Sequence, residues 1–116
     1  MKITRLEQLD RIKISMGGAK DVWKQVPISE KDGSPLFSFR VFTIEPNGHT
    51  PYHEHPFEHL NYVISGTGLL VDPDGREQDI RAGDFVLVLP GEKHQYRNKS
   101  ADTPFVIICA VPKDYE

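Results

Sequence analysis

Short apolar runs interrupted by turn-forming residues make up most of the chain. The runs are rich in Val, Ile, Phe and Tyr, and nine glycines and nine prolines separate them. Short strands at regular spacing with turn chemistry between them are typical of an all-β sandwich or barrel. The pattern predicts nine strands, at residues 21–27, 36–45, 52–55, 59–65, 68–72, 77–81, 85–89, 95–98 and 105–111.

The segments between these strands carry strong turn signals. Gly, Pro, Asn and Asp cluster at 31–35, 46–48, 72–75, 82–84 and 90–92, where each favours a turn for its own conformational reason. One stretch, 4–12, has a weak helical periodicity and is expected to be helical. The first 20 or so residues are expected to form an arm that is either loosely attached to the barrel or packed on a second subunit.

Two of the predicted strands are apolar at nearly every position, at 86–89 and 105–111. A strand that meets water on one side should alternate apolar and polar residues, so both sides of these strands are expected to be covered. The interior of a barrel covers one face. A second copy of the chain is expected to cover the other, which predicts a homodimer.

Composition narrows the choice of function. The 116 residues are enough for one domain with one core. The net charge of −3 gives no basic surface for nucleic acid. No run reaches the roughly 20 apolar residues of a membrane span, and no signal-peptide pattern opens the chain. Cys109 is the single cysteine, which excludes an internal disulfide, and a cytoplasmic location is expected.

Four of the five histidines fall in two short motifs: His53, His55 and His59 lie together, and His94 follows a Pro-Gly turn. Residues two apart on a strand point to the same side, so the first two can share one ion. Neutral imidazole is the commonest protein ligand for a transition metal. The spacing predicts a metal site, whereas the fifth histidine, at 49, is expected to be a solvated loop residue.

The two motifs resemble those of the cupins, which are small antiparallel β-barrels of the jelly-roll type. The first cupin motif, G-x(5)-H-x-H-x(3,4)-E-x(6)-G, is similar to the series Gly48, His53, His55, His59 and Gly66, with one residue fewer after the first glycine. The second, G-x(5)-P-x-G-x(2)-H-x(3)-N, is similar to the series Gly83, Leu89, Gly91, His94 and Asn98, with leucine in place of proline.

The resemblance covers about residues 36–111 and implies that 1–116 is a single all-β cupin domain. It departs from the usual motif at His59, where many cupins carry glutamate; Glu58 is one position too early and is expected to lie at the surface or behind the ligands. Small cupins with histidine at this position form an all-histidine subgroup that often holds manganese or iron. The resemblance therefore implies a divalent transition metal, Mn or Fe first, with Zn, Ni or Cu as alternatives, bound by His53, His55, His59 and His94.

Alternation along the strands predicts which side chains line the pocket. If His94 faces inward, so does Tyr96, either as a hydrogen-bond donor to a ligand or as a core tyrosine. Cys109 shares a face with Ile107 and faces the cavity, either near a redox metal or as an inert buried thiol. Arg40 interrupts an apolar strand, where it contacts a carboxylate substrate or an acidic neighbour. Phe57 follows Pro56 as an apolar gate or as corner packing.

These features predict a metal-dependent, oxygen-using enzyme that acts on a small organic molecule. Two other functions stay open: an isomerase or epimerase that uses the metal as a Lewis acid on a sugar or keto acid, with Tyr96 or Glu58 as base, and a non-enzymatic module that binds a small ligand. No nucleic-acid or membrane partner is expected. Because this type of barrel hosts many chemistries, the fold alone does not choose between them.

Overall fold

A computed structural model describes residues 1–115 as a nearly all-β domain. Its strands are β1 (Ile12–Lys13), β2 (Lys20–Ile28), β3 (Phe37–His49), β4 (His59–Ser65), β5 (Thr67–Val71), β6 (Glu77–Arg81), β7 (Phe85–Val88), β8 (Gln95–Arg97) and β9 (Phe105–Pro112). Three single-turn 3₁₀ helices lie at Leu6–Gln8, Glu30–Asp32 and Lys113–Tyr115. No helix in the described residues is long and apolar enough to cross a membrane.

The strands form one antiparallel sheet in the order β6-β5-β8-β3-β9-β4-β7, with β2 added beside β3 and β1 beside β2. The long strand β3 pairs with β9 over its first part and with β8 at its last residue. The sheet therefore curls around an interior, and the fold is the predicted small antiparallel jelly-roll barrel.

The alternation rule located most strands correctly. Strands β4 and β6 have the predicted bounds. Strands β2 and β5 differ from theirs by one residue at both ends, and β7, β8 and β9 differ by one residue at the last position. The strand predicted at 52–55 is wrong, because this segment makes only an isolated bridge between His53 and His94. Pro51 and Pro56, which donate no backbone hydrogen bond, flank the segment and limit regular pairing.

The turn predicted at 46–48 is also wrong, since β3 runs through it to His49. Here β3 carries a bulge: the register with β2 shifts between Lys20 and Val22, and Asn47 has a φ of 63°. A Cβ on Gly48 would lie 2.6 Å from the Lys20 carbonyl oxygen, so only glycine fits. Bulges bend a strand and re-aim the residues after it, and this one directs the chain toward the histidine segment.

The N-terminal residues lie along the barrel and contain far less helix than the periodicity at 4–12 suggests. Only Leu6–Gln8 forms a single 3₁₀ turn, so that prediction is wrong. The buried Gln25 amide donates to the carbonyl oxygens of Leu6 and Leu9, at 2.9 and 3.1 Å. A backbone already held by long-range hydrogen bonds has little need of helical ones.

The apolar core fills one end of the barrel interior. Its fully buried members include Val22, Ile44, Val63 and Phe105, and Ile107 joins the same cluster. Gly68 packs directly beneath the Phe105 ring, where a Cβ would come within 2.4 Å of Cε2. The opposite end of the interior contains polar side chains.

Candidate metal centre

The first histidines stand on the irregular segment after the β3 bulge. Hydrogen bonds to β8 hold this segment: the Thr50 N–H donates to the Tyr96 carbonyl oxygen, and the His53 and His94 backbones exchange two bonds of 3.1 and 2.9 Å. The Gly91 N–H donates to the His55 carbonyl oxygen at 2.8 Å. The two histidine motifs are therefore tied to each other through the backbone.

Three histidines converge within the range of one ion. A ring nitrogen of each of His53, His55 and His94 lies within 4.8 Å of those of the other two. Their ring centroids are separated by 4.3 to 5.3 Å. Glu54, between the first two of these histidines, is exposed.

His59 lies beside this trio without belonging to it. It opens β4, is buried, and stacks on His55 with a ring-centroid separation of 4.2 Å; its ring centroid is 5.9 Å from that of His94. Glu58 is exposed, as expected of a carboxylate outside the ligand set. His49, predicted to be a solvated loop residue, is instead partly buried at the end of β3, with Nδ1 3.4 Å from the Gln95 amide nitrogen.

Burial keeps all four clustered imidazoles neutral near pH 7. Desolvation is the largest cause in each case: it lowers the pKa of His55 to about 4 and that of His59 to about 3. It also lowers the pKa of His53 and His94. Mutual repulsion and the nearby Arg40 charge add to this effect at 53, 55 and 59. Neutral imidazole is the form that ligates a metal.

The hydrogen-bond partners of the rings fit a metal at this place. His94 Nδ1 lies 2.8 Å from the Glu92 carbonyl oxygen, so Nδ1–H donates there and Nε2 keeps its lone pair. His59 Nε2 and His55 Nδ1 are buried and have no hydrogen-bond partner. Buried ring nitrogens without partners are rare and call for a ligand, and holding the other nitrogen with a backbone carbonyl is usual for metal-binding histidines.

The rings line a cavity of about 330 Å³. All five proposed pocket residues also line it: Arg40, Phe57, Tyr96, Ile107 and Cys109. The rest of the lining is mainly apolar and includes Ile14, Met16 and Phe42. A concave, largely apolar cavity with a few convergent polar groups is typical of a small-molecule site.

A row of polar side chains crosses the cavity wall below the histidines. Opposed residues of β3, β9 and β4 place Arg40, Cys109 and Asn61 side by side. Arg40 Nη2 lies 3.2 Å from Cys109 Sγ, which in turn lies 3.6 Å from His59 Nδ1. Burial raises the pKa of the Cys109 thiol, so it remains protonated. The Asn61 amide donates to the Tyr96 hydroxyl oxygen.

Sequence reasoning left several residues of this cavity unassigned, among them Asn61, Lys24 and Tyr115. Asn61 shares the face of His59 by alternation along β4, but the sequence did not mark it as a site residue. Lys24 and Tyr115 also line the cavity, and the Tyr115 ring stacks on Phe57 with centroids 3.7 Å apart. Alternation along β4 predicts the inward direction of Asn61, but it does not show the contact of Asn61 with Tyr96. Nothing local indicates Tyr115, which reaches the cavity from the far end of the chain.

Curated and solved proteins resemble the chain. It is 32% identical over 68 residues to an (R)-mandelonitrile lyase from Granulicella tundricola, a match that covers 59% of this chain and about half, 52%, of the relative. The polyketide cyclase RemF from Streptomyces resistomycificus superimposes with a TM-score of 0.91 at 29% identity, over 97% of this chain and 79% of that one.

A second solved structure is described as a predicted oxalate decarboxylase from Thermotoga maritima. Its TM-score is 0.77 at 26% identity, over 93% of this chain and 97% of that one. The family model for the cupin domain, Cupin_2, matches residues 40–111, which contain both histidine motifs and most of the barrel. The chain therefore belongs to the Cupin_2 family of cupin domains.

Proposed function

We propose that this cupin is a metal-dependent enzyme that acts on a small organic molecule bound in the barrel cavity. The observation that carries the proposal is the convergence of His53, His55 and His94 at the polar end of an otherwise apolar cavity. His59 is proposed as the fourth ligand, because its buried Nε2 has no protein partner and its ring stacks on His55.

The proposed ion is divalent, with manganese or iron as the first expectation and zinc, nickel or copper as alternatives. Such an ion supplies Lewis acidity and, for manganese or iron, redox chemistry with dioxygen. Four neutral imidazoles leave both of its positive charges without compensation from the ligands, which favours an anionic partner.

The residues of the chain itself bind and orient the substrate. The apolar walls at Phe42, Phe57 and Ile107 exclude water. The Tyr96 hydroxyl oxygen accepts from Asn61, which leaves its O–H free to donate to a bound molecule. Burial is the main cause that raises the pKa of Tyr96, so this group acts as a hydrogen-bond donor and holds its proton at neutral pH.

Metal content tests the proposal directly. Protein purified without chelators is expected to contain about one divalent ion per chain by elemental mass spectrometry. His55→Ala should lower the metal affinity by at least about 100-fold, since even residues behind the ligands are worth about 10- to 100-fold. His49→Ala, at the fifth histidine, is the matched control and should keep full occupancy. His59→Glu tests the fourth position and should bind metal with altered affinity. Metal-free wild type contradicts the proposal.

An oxygen electrode separates the chemistries. Consumption of oxygen by the iron- or manganese-loaded protein with diketones, phenols or alkenes supports the oxygen-using enzyme. Turnover under nitrogen supports a second candidate, Lewis-acid chemistry on an enolisable carbonyl compound. The likeness to a polyketide cyclase over nearly the whole chain favours that candidate. Ligand-dependent thermal stabilisation without turnover supports a binding module.

The apolar outer face of the sheet supports a homodimer, which we also propose. Five large side chains on neighbouring strands are more than 40% exposed on this face: Phe37, Phe39, Leu60, Phe85 and Leu87. Contiguous exposed apolar surface marks an interaction site. An apolar patch can meet a copy of itself about a two-fold axis, because neither side needs a charge complement.

A further inference from the structure

The lining of the cavity carries positive charge and no negative side chain. It includes the Arg40 guanidinium, its four histidines are neutral near pH 7, and it contains no Asp or Glu among the described residues. A divalent ion at the proposed site would add to that charge. Because a cavity with an apolar wall focuses its field, such an interior attracts anions.

Arg40 lacks a counter-charge of its own. Within residues 1–115 it makes no ion pair. Its Nη2 reaches only the sulfur of Cys109, a weak acceptor, and its guanidinium lies 5.1 Å from the Phe42 ring centroid. Its Nε is buried and has no hydrogen-bond partner. A guanidinium has five donors, and among the described residues only Nη2 has a protein partner, which leaves the other donors for solvent or for a ligand in the cavity.

The same wall offers an acceptor that no protein group uses. Asn61 is 5% exposed, and its Oδ1 is buried without a partner while its amide nitrogen contacts Tyr96. The register places Asn61 and Arg40 on either side of Cys109, on the two strands that flank β9. One row of the sheet therefore presents an unmet cationic donor and an unmet neutral acceptor to the same cavity.

We infer that Arg40 is the carboxylate-binding residue of this site and that the substrate is a small organic acid with an apolar or aromatic body. The carboxylate meets the Arg40 guanidinium, and a hydroxyl or N–H of the substrate donates to Asn61 Oδ1. The body packs against Phe42 and Ile107, which are neighbours on the same wall, with the end farthest from the carboxylate free to extend along that wall. This inference rests on the proposed function, because it takes the cavity as the substrate site.

Benzoate and benzamide test the inference, since they differ in charge and share the aromatic body. Their affinities are measured by calorimetry on the full chain as purified and again after chelator treatment. Benzoate is expected to bind at least about 10-fold more tightly than benzamide to both forms, as a charge-assisted hydrogen bond requires. Arg40→Gln should bring the ratio close to one. Arg40→Lys, which keeps the charge and loses the planar fork, should give an intermediate ratio.

Arg97→Gln is the matched control, because it removes the same charge from an exposed position on β8 and should leave the ratio unchanged. If Arg40 has only a structural role, Arg40→Gln would lower the affinities for benzoate and benzamide equally and leave their ratio unchanged. That result would overturn the inference. Failure of wild type to bind benzoate overturns it as well. If the protein is metal-free as purified and still shows the Arg40-dependent ratio, the proposed function alone is refuted, whereas a protein purified with metal but with an Arg40-independent ratio refutes this inference alone.

Discussion

The two faces of the sheet formed by β3, β9, β4 and β7 reverse the usual distribution of polarity. Its inner face buries Ser38, His59 and Asn61, whereas its outer face exposes Phe39 and Leu87. Buried polar groups without partners and exposed apolar groups are each unfavourable for an isolated domain. The difference is the basis of both proposals: a ligand with its ion on the inside, and a second subunit on the outside.

The largest difference in stability is expected when a phenylalanine on the inner face and one on the outer face are each replaced by alanine. Phe105 is fully buried in the apolar end of the interior, and Phe85 is 83% exposed on the outer face. Phe105→Ala should lower the free energy of unfolding by about 3–5 kcal/mol through the lost burial and the cavity left behind. Phe85→Ala should cost less than about 1 kcal/mol, mainly for its contact with the Tyr62 ring. Urea denaturation at low protein concentration measures both, and equal losses would contradict the assignment of the faces.

Lowering the pH should act through the inner face. The folded-state pKa of His55 is about 4 and that of His59 about 3, below the ordinary value near 6.5. Between these values the unfolded chain binds more protons, so stability is fully present above about pH 6.5 and is lost as the pH falls toward 3. For chelator-treated protein, unfolding near pH 5 should take up between one and two protons at His55 and His59 together, and the lowered pKa values of His53 and His94 add to this uptake.

Denaturation curves between pH 7 and 4 measure that uptake as the slope of stability against pH. His59→Gln should flatten the slope, because glutamine does not titrate, and His49→Gln should leave it as in wild type. A slope that His59→Gln leaves intact would exclude His59 as a source of the pH dependence.

Alternation along regular strands predicted much of both faces. The inward positions of β4, at His59, Asn61 and Val63, and those of β9, at Ile107 and Cys109, follow from a period of two. The two cupin motifs indicated four histidines, and all four lie at the cavity. These features are local in sequence, so the sequence could show them.

Features decided by long-range contacts were not predictable in the same way. Pro46-Asn47-Gly48 has the composition of a turn, and pairing with β2 turns it into a bulge. The segment with His53 and His55 has the alternation of a strand, and its only ladder partner is one residue of the other motif. The missing counter-charge of Arg40 depends on which side chains surround it. None of these has a signal within a few residues.

A charge on the outer face should separate the proposed dimer. Leu87 is 57% exposed within the apolar patch, and Leu87→Glu would place an unpaired carboxylate in a dry interface twice, once from each copy. Analytical ultracentrifugation is expected to show the dissociation constant raised by at least about 100-fold, with the cavity and the metal content unchanged. Ala101→Glu, on an exposed loop, is the control. A wild-type monomer at all concentrations contradicts the proposed role of the face.

The smallest expected change in stability compares a buried hydroxyl that makes a hydrogen bond with one that makes none in the described residues. Ser29 and Ser38 are both buried. The Ser29 hydroxyl caps a 3₁₀ turn by accepting from the Lys31 N–H at 3.2 Å, so Ser29→Ala should cost about 1 kcal/mol. The Ser38 hydroxyl has no partner, so Ser38→Ala should leave stability unchanged or raise it by up to about 1 kcal/mol, since no buried bond is lost. Thermal denaturation of both variants measures the difference. A loss of stability in Ser38→Ala as large as that in Ser29→Ala would mean that the Ser38 hydroxyl has a hydrogen-bond partner in solution. Because Ser38 lies on the same row of the sheet as His59, that partner would be sought among the contents of the cavity.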